Sequence, residues 1–382
     1  MLKLRFPIPR FVNAREIFME KGALGALKAL NAVKAFVLIS SSFAKNEKMV
    51  DKIRSSIGAH EIHVAIKSSG EPSLQGLKDL LAEIQNFQPD WIIAIGGGSI
   101  LDSAKILWIY YEYPTLPFET IIRPFSIPPL RGKAKLACLP TTIGTGSEVS
   151  SAAVFTDETT HIKRAIVSHE LLPDVVILDP NLLQDVPLQA LQFSAIDALT
   201  HAIEGYVSPY KNSFLNLQAV DAIKIIFSIL PDLANSRDDD EKLLHLMMAS
   251  MMAGWVQNMK IPGLAHALAH QMGYFHIPHG LACALFLPVS IKINTQDALT
   301  HKKYDTLAMA LGMQDTQELL MHCKALLEKI GISGKIAQYV SKNEWLTRKA
   351  EIIQGALKDP CGKANPLALN KALLEEALAM VE

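Results

Sequence analysis

The 382-residue sequence predicts an α/β domain followed by an all-α domain. The first prediction rests on short apolar runs that end in turn residues, such as KAFVLIS (34–40) and WIIAIGG (91–97), and on the helical patterns between them. This alternation is typical of a parallel sheet with helices on both faces. The second prediction rests on the hydrophobic periods, which are nearly all helical from Leu188 onward. We therefore expect two domains, 1–182 and 183–382.

The individual elements follow from the same patterns. In the first domain the predicted strands are 34–40, 61–66, 91–97, 135–140, 163–168 and 174–180, and the predicted helices are 42–57, 74–87 and 100–111. In the second domain, helical periods cover 219–234, 242–257 and 318–331. The methionines of the segment 242–257 have the helical spacing that is typical of core packing. The acidic run 237–241 is expected to be a solvated loop between helices.

The composition excludes several classes of function. The formal net charge of −1 favours neither nucleic acid nor an acidic membrane surface as a partner. The four cysteines are scattered and form no CxxC pair, which indicates buried or inert thiols in a reducing compartment. The N-terminus has no signal-peptide core, and no run is expected to reach the length of a membrane span. We predict a cytoplasmic protein.

The segment WIIAIGGGSILDSAK has Gly96, Gly97 and Gly98 where a predicted strand passes into a predicted helix. Glycines let a phosphate approach the backbone, and a helix N-terminus offers free N–H groups. The GxGxxG pattern of the standard dinucleotide fold is absent. A purely structural interpretation is a tight turn followed by a capping box, with Ser99 as the cap and Asp102 three residues later. Both interpretations can hold together.

A second glycine cluster, PTTIGTGSEVS, covers residues 140–150. It combines threonine hydroxyls with Gly144 and Gly146, which allow close approach of a ligand. Two such turns at strand ends predict a crevice at the carboxyl edge of a parallel sheet. A surface loop held by Ser and Thr turns explains the same residues, and the spacing alone does not choose between them.

The helical half opens with SAIDALTHAIEGYVS (194–208), in which Asp197 and His201 are four residues apart. On a helix these side chains lie on one face, one turn apart, where they can hold one divalent ion. The alternative is a capping box formed by Ser194 and Asp197, with His201 exposed.

Four histidines crowd into PGLAHALAHQMGYFHIPHG (262–280). His266 and His270 again have the one-turn spacing, and His279 lies between a proline and a glycine that predict a turn. One aspartate and three histidines give an N₃O donor set that suits Fe²⁺, Zn²⁺, Mn²⁺ or Co²⁺. No thiol is expected in this set, which argues against copper(I) or an iron–sulfur cluster. His276 is expected to face solvent or a cleft.

The motifs together resemble the iron-containing, or group III metal-dependent, alcohol dehydrogenases. The resemblance rests on GGGSILDSAK, PTTIGTGSEVS, VVILDP, DALTHAIEGYVS and PGLAHALAHQMG with the later PHG, in family order across residues 91–280. It implies a Rossmann-like α/β domain, an all-helical C-terminal domain and a cleft between them, a plan shared with dehydroquinate synthase. It also implies NAD(P)-dependent oxidation of an alcohol or reduction of an aldehyde or ketone.

The resemblance assigns roles to individual residues. The expected metal ligands are Asp197, His201, His266 and His279. The expected cofactor-binding residues are Gly97, Gly98, Ser99, Asp102, Thr141, Thr142, Ser150 and Lys163. His270 matches an extra cleft histidine near the nicotinamide and is the expected catalytic proton relay, with second-layer packing as the alternative.

The resemblance implies Fe²⁺, with Zn²⁺ as the alternative, and NAD or NADP. A bound divalent ion would acidify an alcohol as it acidifies water, whose pKa falls from about 15.7 to about 7. The family often has an aspartate after the first strand, but here the strand runs into Ser-Ser-Ser at 40–42. An acid there would repel a 2′-phosphate, so its absence leaves NADP open.

Three other interpretations remain at this stage. One is a non-redox enzyme similar to dehydroquinate synthase, which would recycle its nicotinamide. A nearer one is the glycerol dehydrogenase branch, for which fewer histidine ligands are expected. The third is a catalytically silent metal-binding or scaffold protein. The expected partner is a small alcohol or aldehyde, with no nucleic acid and no membrane, and the chain is expected to form a homo-oligomer such as a dimer.

Overall fold

The computed structural model describes residues 11–68, 70–157 and 162–382, without the side chains of residues 157, 162 and 163. The described chain divides into two compact units. Unit 1 contains the residues up to Thr142, Gly146–Val186 and Asp238–Met247, and unit 2 contains Ile143–Thr145, Pro187–Arg237 and Met248–Glu382. The predicted boundary between residues 182 and 183 stays a prediction.

Unit 1 is built around a parallel sheet, as the sequence predicts. The strands of the described residues are β1 Glu16–Met19, β2 Lys34–Ser40, β3 Glu61–Lys67, β4 Trp91–Gly96, β5 Lys135–Pro140, β6 Ala152–Asp157, β7 Ile162–Val167 and β8 Val175–Leu178. Six of them form one sheet in the order β1-β8-β5-β4-β2-β3, with every pair parallel. The predicted strand 163–168 instead corresponds to β7, which pairs antiparallel with β6 outside this sheet.

The central strands bury both faces because alternate side chains enter two different apolar clusters. In β2, Phe36 and Leu38 belong to one cluster, while Val37 and Ile39 belong to the other. A strand covered on both faces has a nearly continuous apolar sequence, which is why the run KAFVLIS predicts it correctly. β4 and β5 pair in register up to Gly96 and Pro140. The two glycine-containing turns therefore follow neighbouring strand ends.

The helices of the described residues are α1 Glu47–Ser56, α2 Lys78–Phe87, α3 Gly98–Glu112, α4 Phe118–Ile121, α5 Leu188–Val207, α6 Ser213–Ile229, α7 Asp240–Lys260, α8 Leu264–Ala269, α9 His279–Asn294, α10 Ala298–Ala310, α11 Thr316–Lys329, α12 Lys342–Lys358, α13 Pro360–Ala364 and α14 Lys371–Val381. Helices α1 to α4 belong to unit 1. Helices α5 to α14 belong to unit 2, except that the first turns of α7 belong to unit 1. The acidic run 237–241 ends inside α7, so the expected loop is shorter than predicted.

Helices α5 and α9 form the centre of unit 2, since both are buried around most of their circumference. Their close approach depends on Gly280 in the first turn of α9. A Cβ atom there would lie 2.0 Å from the carbonyl oxygen of Phe193 in α5. Only glycine lets the start of α9 rest on the backbone of α5.

One segment departs from the expectation that no run reaches membrane-spanning length. Ser213–Asn235, which is α6 with the turn after it, is long and apolar enough by length and composition. Buried helices of globular proteins pass the same test, and α6 buries a stripe that includes Leu215, Ala219 and Ile226. The segment is therefore weak evidence for a membrane span.

Candidate metal and nucleotide sites

The metal-site residues of α5 lie in the interior of the helix. Asp197 and His201 are one turn apart on it, and both are buried. Ser194 is also inside α5, which begins at Leu188 with Pro187 as its N-cap. The alternative of a capping box formed by Ser194 and Asp197 is therefore wrong.

The carboxylate of Asp197 is the point on which three imidazoles converge. Its Oδ1 atom lies 3.4 Å from Nε2 of His266, 3.4 Å from Nε2 of His279 and 3.8 Å from Nε2 of His201. The His201 ring stacks on the His266 ring with 4.3 Å between centroids. All four residues predicted as ligands are thus neighbours in unit 2.

His279 reaches this group from a helix, not from the predicted turn. It is the first residue of α9, after Pro278 as the N-cap. The following residue is Gly280, whose lack of a Cβ brings this helix end onto α5. The glycine in the sequence PHG therefore places His279 beside Asp197.

Glu204 fixes the orientation of His266, a role that the sequence analysis missed. Its Oε2 accepts a hydrogen bond from Nδ1 of His266 over 2.8 Å. The same carboxylate accepts the N–H groups of Gly263 and Ala265 at the start of α8, and the hydroxyl of Ser290. With Nδ1 protonated and held, Nε2 of His266 is left to face Asp197.

The electrostatics of the cluster call for positive charge beside Asp197. Burial would raise the pKa of Asp197, but His201 and His279 hold it well below its ordinary value. Burial lowers the pKa of His201 to about 3. For His279, burial acts downward, yet Cys283 and Asp197 raise the pKa to about 10. The proton that His279 holds thus lies where a bound cation would balance the charge of the same carboxylate.

Cys283 also lies in this cluster, although its role as a ligand is not tested by its position alone. Its Sγ atom lies 3.6 Å from Oδ1 of Asp197 and 3.7 Å from Nε2 of His279. Ligand atoms of Asp197, His266, His279 and Cys283 all lie within 4.8 Å of one another. The spacing of His279 and Cys283 is one helical turn, a signal that was lost because His279 was expected in a turn.

His270 is held by a second carboxylate. Its Nδ1 is 2.9 Å from Oδ2 of Asp359, which also caps α13 through the N–H of Cys361. The rings of His270 and His279 stack with 5.4 Å between centroids and 14° between planes. Burial lowers the pKa of His270, while Asp359 opposes that shift. His276 is exposed, as expected.

The residues present fit a divalent metal ion. Nε2 of His266 is buried and has no hydrogen-bond partner among the described residues, although an anionic oxygen lies 3.4 Å away. A lone pair facing a carboxylate is unfavourable unless a proton or cation lies between them. Imidazole nitrogens and a carboxylate oxygen are ordinary ligands for Fe²⁺ and Zn²⁺.

The helix that follows the first glycine turn, α3, does not have the capping box of Ser99 and Asp102 that the sequence allows. Gly97 is the N-cap of α3, and no side chain caps this helix. The hydroxyl of Ser99 instead donates to the carbonyl of Gly70 over 2.6 Å. Asp102 accepts from the hydroxyl of Ser147 and the N–H of Val154. The predicted capping box is therefore wrong, and the first N–H groups of α3 have no partner within the helix.

The second glycine turn lies against the first. A Cβ atom on Gly97 would be 3.1 Å from Cγ2 of Thr142. Thr141 is bound through its N–H to the carbonyl of Gly96. The hydroxyl of Ser150 accepts the N–H of Ala152, so it is engaged within the loop. Lys163 lies in β7, but its side chain is outside the described part of the structure.

Two buried lysines that the sequence analysis missed support these turns. Nζ of Lys67 donates to the carbonyl of Gly70 and lies 3.2 Å from the hydroxyl of Ser99. Nζ of Lys105 donates to the carbonyls of Ser147, Ser150 and Ala152. Lys105 is three residues after Asp102 on α3. The helix thus anchors the loop 147–152 with a cation and a carboxylate.

Comparison with known proteins agrees with this architecture. Residues 14–180 match the family model of iron-containing alcohol dehydrogenases. Residues 192–380 match the model of the C-terminal domain of Fe-containing alcohol dehydrogenases. The NADPH-dependent butanol dehydrogenase of Clostridium saccharobutylicum is 34% identical over 372 residues, which cover 95% of each chain. The chain belongs to the iron-containing alcohol dehydrogenase family.

Two further relatives of this alcohol dehydrogenase show the same extent of likeness. The 1-propanol dehydrogenase PduQ of Citrobacter freundii is 32% identical over 375 residues, covering 95% of this chain and 96% of that one. The structure of the iron-containing alcohol dehydrogenase from Thermococcus thioreducens superposes with a TM-score of 0.89, at 29% identity, over 97% of this chain and 98% of that one. The predicted fold class is confirmed.

Membership in the family fixes the type of chemistry. The protein is an NAD(P)-linked alcohol oxidoreductase that acts on small molecules and uses a divalent metal. The interpretations as a dehydroquinate synthase-like enzyme or as a silent scaffold are thereby set aside.

Proposed function

We propose that this enzyme interconverts short primary alcohols and their aldehydes with NADP(H), at a divalent iron ion held by Asp197, His201, His266 and His279. The observation that carries the metal assignment is the convergence of three imidazole Nε2 atoms, at 3.4 to 3.8 Å, on one carboxylate oxygen. All four side chains come from buried or partly buried positions in unit 2.

The bound ion would supply one thing, a lower pKa for the hydroxyl of the alcohol. The side chains do the rest. Asp197 supplies negative charge that holds the cation, and Glu204 keeps the tautomer of His266 in which Nε2 carries the lone pair. Burial of these groups excludes water and strengthens their electrostatic interactions.

His270 is the proposed proton carrier. Asp359 holds its Nδ1, so the reactive atom is Nε2, which can take the alcohol proton or return it to an aldehyde. Its side chain is 30% exposed, whereas that of His266 is 2% exposed. A proton can therefore pass between His270 and solvent, which the buried ligand His266 does not allow.

The preference for NADP(H) rests on the end of β2. Ser40 closes this strand, and its hydroxyl bonds to that of Ser42 and accepts the N–H of Phe43. The residues at this strand end, Ser40, Ser41 and Ser42, include no carboxylate that would repel a 2′-phosphate. The butanol dehydrogenase that resembles this chain over nearly its full length is named as NADPH-dependent.

The glycine turns provide the proposed pyrophosphate site. Gly97 is the N-cap of α3 and Gly98 is its first residue, so the N–H groups of Gly98 and Ser99 are those offered to a phosphate, with Thr142 alongside. Asp102 and Ser150 are engaged in holding the neighbouring loop. Thr141 and Lys163 remain proposed contacts of the nucleotide.

The size of the substrate is proposed from the relatives. Two relatives that match nearly the full length of this chain are named for butanol and for 1-propanol. We therefore propose three- and four-carbon primary alcohols and aldehydes as substrates.

Iron is proposed as the metal before zinc because the matching family is described as iron-containing. Cytoplasmic location and a homo-oligomer stay predictions; the four free, buried thiols agree with a reducing compartment.

The proposal is tested by a matrix of substrates, cofactors and metals. The enzyme is stripped with a chelator, reloaded anaerobically with Fe²⁺ or Zn²⁺, and assayed with C2 to C6 aldehydes and alcohols. We expect kcat/KM to be highest with NADPH, a three- or four-carbon aldehyde and Fe²⁺. Equal turnover by the stripped enzyme contradicts the metal role, and a preference for NADH contradicts the cofactor assignment.

A further inference from the structure

Cys283 is a free, buried thiol in the group around Asp197. Its position on α9, one turn after His279, directs both side chains toward the carboxylate. Cys323, in α11 of the same unit, is equally buried but does not belong to this group. The location of Cys283 is therefore not explained by burial alone.

The separations between donor atoms are those of ligands that share one ion. Ligands bound at about 2.0–2.3 Å in a tetrahedral arrangement lie about 3.3–3.8 Å apart. Asp197 Oδ1 is 3.4 Å from the Nε2 atoms of His266 and His279. Sγ of Cys283 is 3.6 Å from the same oxygen and 3.7 Å from Nε2 of His279.

A second observation points to a ligand at this place. Nε2 of His266 is buried without a hydrogen-bond partner among the described residues, and it faces the same group. His201 lies slightly further from Oδ1 of Asp197, at 3.8 Å. Sγ of Cys283 thus lies closer to Oδ1 of Asp197 than Nε2 of His201, the fourth predicted ligand, does.

We infer that Cys283 is a ligand of the metal, so that a thiolate joins the carboxylate and the imidazoles. Binding forms an Sγ–metal bond and releases the thiol proton to solvent. A thiolate is a softer donor than the predicted N₃O set, so it strengthens binding of Zn²⁺ and Co²⁺ more than that of Mn²⁺. This inference rests on the metal site of the proposed function.

The test is the absorption spectrum of the full-length enzyme after replacement of its metal by Co²⁺. A cobalt–thiolate bond gives an intense sulfur-to-metal charge-transfer band in the near ultraviolet, which nitrogen and oxygen ligands do not give. We expect this band in the wild type and in Cys323→Ser, and its loss in Cys283→Ser with about one Co²⁺ still bound per chain. Circular dichroism checks that each variant is folded.

The possible results distinguish ligation by Cys283 from the existence of the metal site. Stoichiometric Co²⁺ with visible ligand-field bands but no charge-transfer band in the wild type overturns ligation by Cys283 and leaves the metal site intact. No Co²⁺ bound by the wild type overturns the proposed metal site itself. If Cys283→Ser does not fold, absence of the band from the wild-type spectrum still overturns the inference, and Cys361→Ser, which changes the thiol beside His270, keeps the band if Cys283 is its source. As a second readout, we expect Cys283→Ser to lose more affinity for Zn²⁺ than for Mn²⁺; an equal loss for both contradicts a soft donor.

Discussion

The carboxylate of Glu204 and the imidazole of His266 are joined by a hydrogen bond of 2.8 Å from Nδ1 to Oε2, with both side chains buried. The pair lies between α5 and α8, and the same carboxylate receives the first N–H groups of α8. One side chain therefore sets both the start of that helix and the direction of its metal-site histidine.

We predict that Glu204→Gln lowers metal affinity by about 10- to 100-fold, the usual effect of removing an outer hydrogen-bonding partner of a ligand. Titration of the stripped protein with Zn²⁺ measures it. Ser290→Ala is the matched control, because Ser290 donates to Oε1 of Glu204 and the variant leaves the bond to His266 in place. An equal loss in both variants would indicate general destabilisation of the buried carboxylate.

The pairing of His270 with Asp359 gives a second prediction. Asp359→Asn keeps a capping oxygen for α13 but offers an amide N–H to His270, which favours the tautomer with the proton on Nε2. We expect kcat to fall by about 100-fold, at the lower end for a positioned acid–base group. Metal content should be unchanged. Unchanged kcat would assign His270 a packing role.

Cofactor preference is predicted to depend on Ser40. Ser40→Asp retains an acceptor for the N–H of Phe43 but adds a negative charge at the end of β2. Two unit charges about 4 Å apart interact by about 1 kcal/mol even in water, so kcat/KM with NADPH should fall at least about fivefold relative to NADH. Ser40→Asn is the neutral control. The same ratio in both variants would place the 2′-phosphate elsewhere.

The contact of Gly280 with α5 predicts a steric effect. In Gly280→Ala the new Cβ meets the carbonyl oxygen of Phe193, so the first turn of α9 must move and carry His279 with it. We expect a loss of about 1–3 kcal/mol in the free energy of unfolding, together with weaker metal binding. Gly273→Ala, where a Cβ meets nothing within 4 Å, is the control for chemical denaturation.

Much of the fold follows from periodicity. Buried strands such as β4 are continuous apolar runs, and the helical periods after Leu188 mark unit 2. The short strand β1 is only partly buried, so its sequence lacks the apolar run that marks the central strands. The pairing of β6 with β7 outside the main sheet depends on tertiary packing, which a local pattern does not contain.

The candidate site was predictable where its residues share one helix. Asp197 and His201 have that spacing, and Glu204 continues the same face seven residues after Asp197, a signal that was available. Asp359 gave no such signal, because 89 residues separate it from His270. Cys283 was missed because the helix α9 begins at His279 itself.

The most direct test is the metal content of the wild type and of His266→Ala after chelation and reloading with Fe²⁺, measured by elemental mass spectrometry. We predict about one ion per chain in the wild type and loss of both metal and turnover in the variant, with NADPH affinity retained. Asp197→Asn, with the same shape as the natural residue, should also bind metal more weakly. Wild-type metal content in a folded His266→Ala protein would contradict the site.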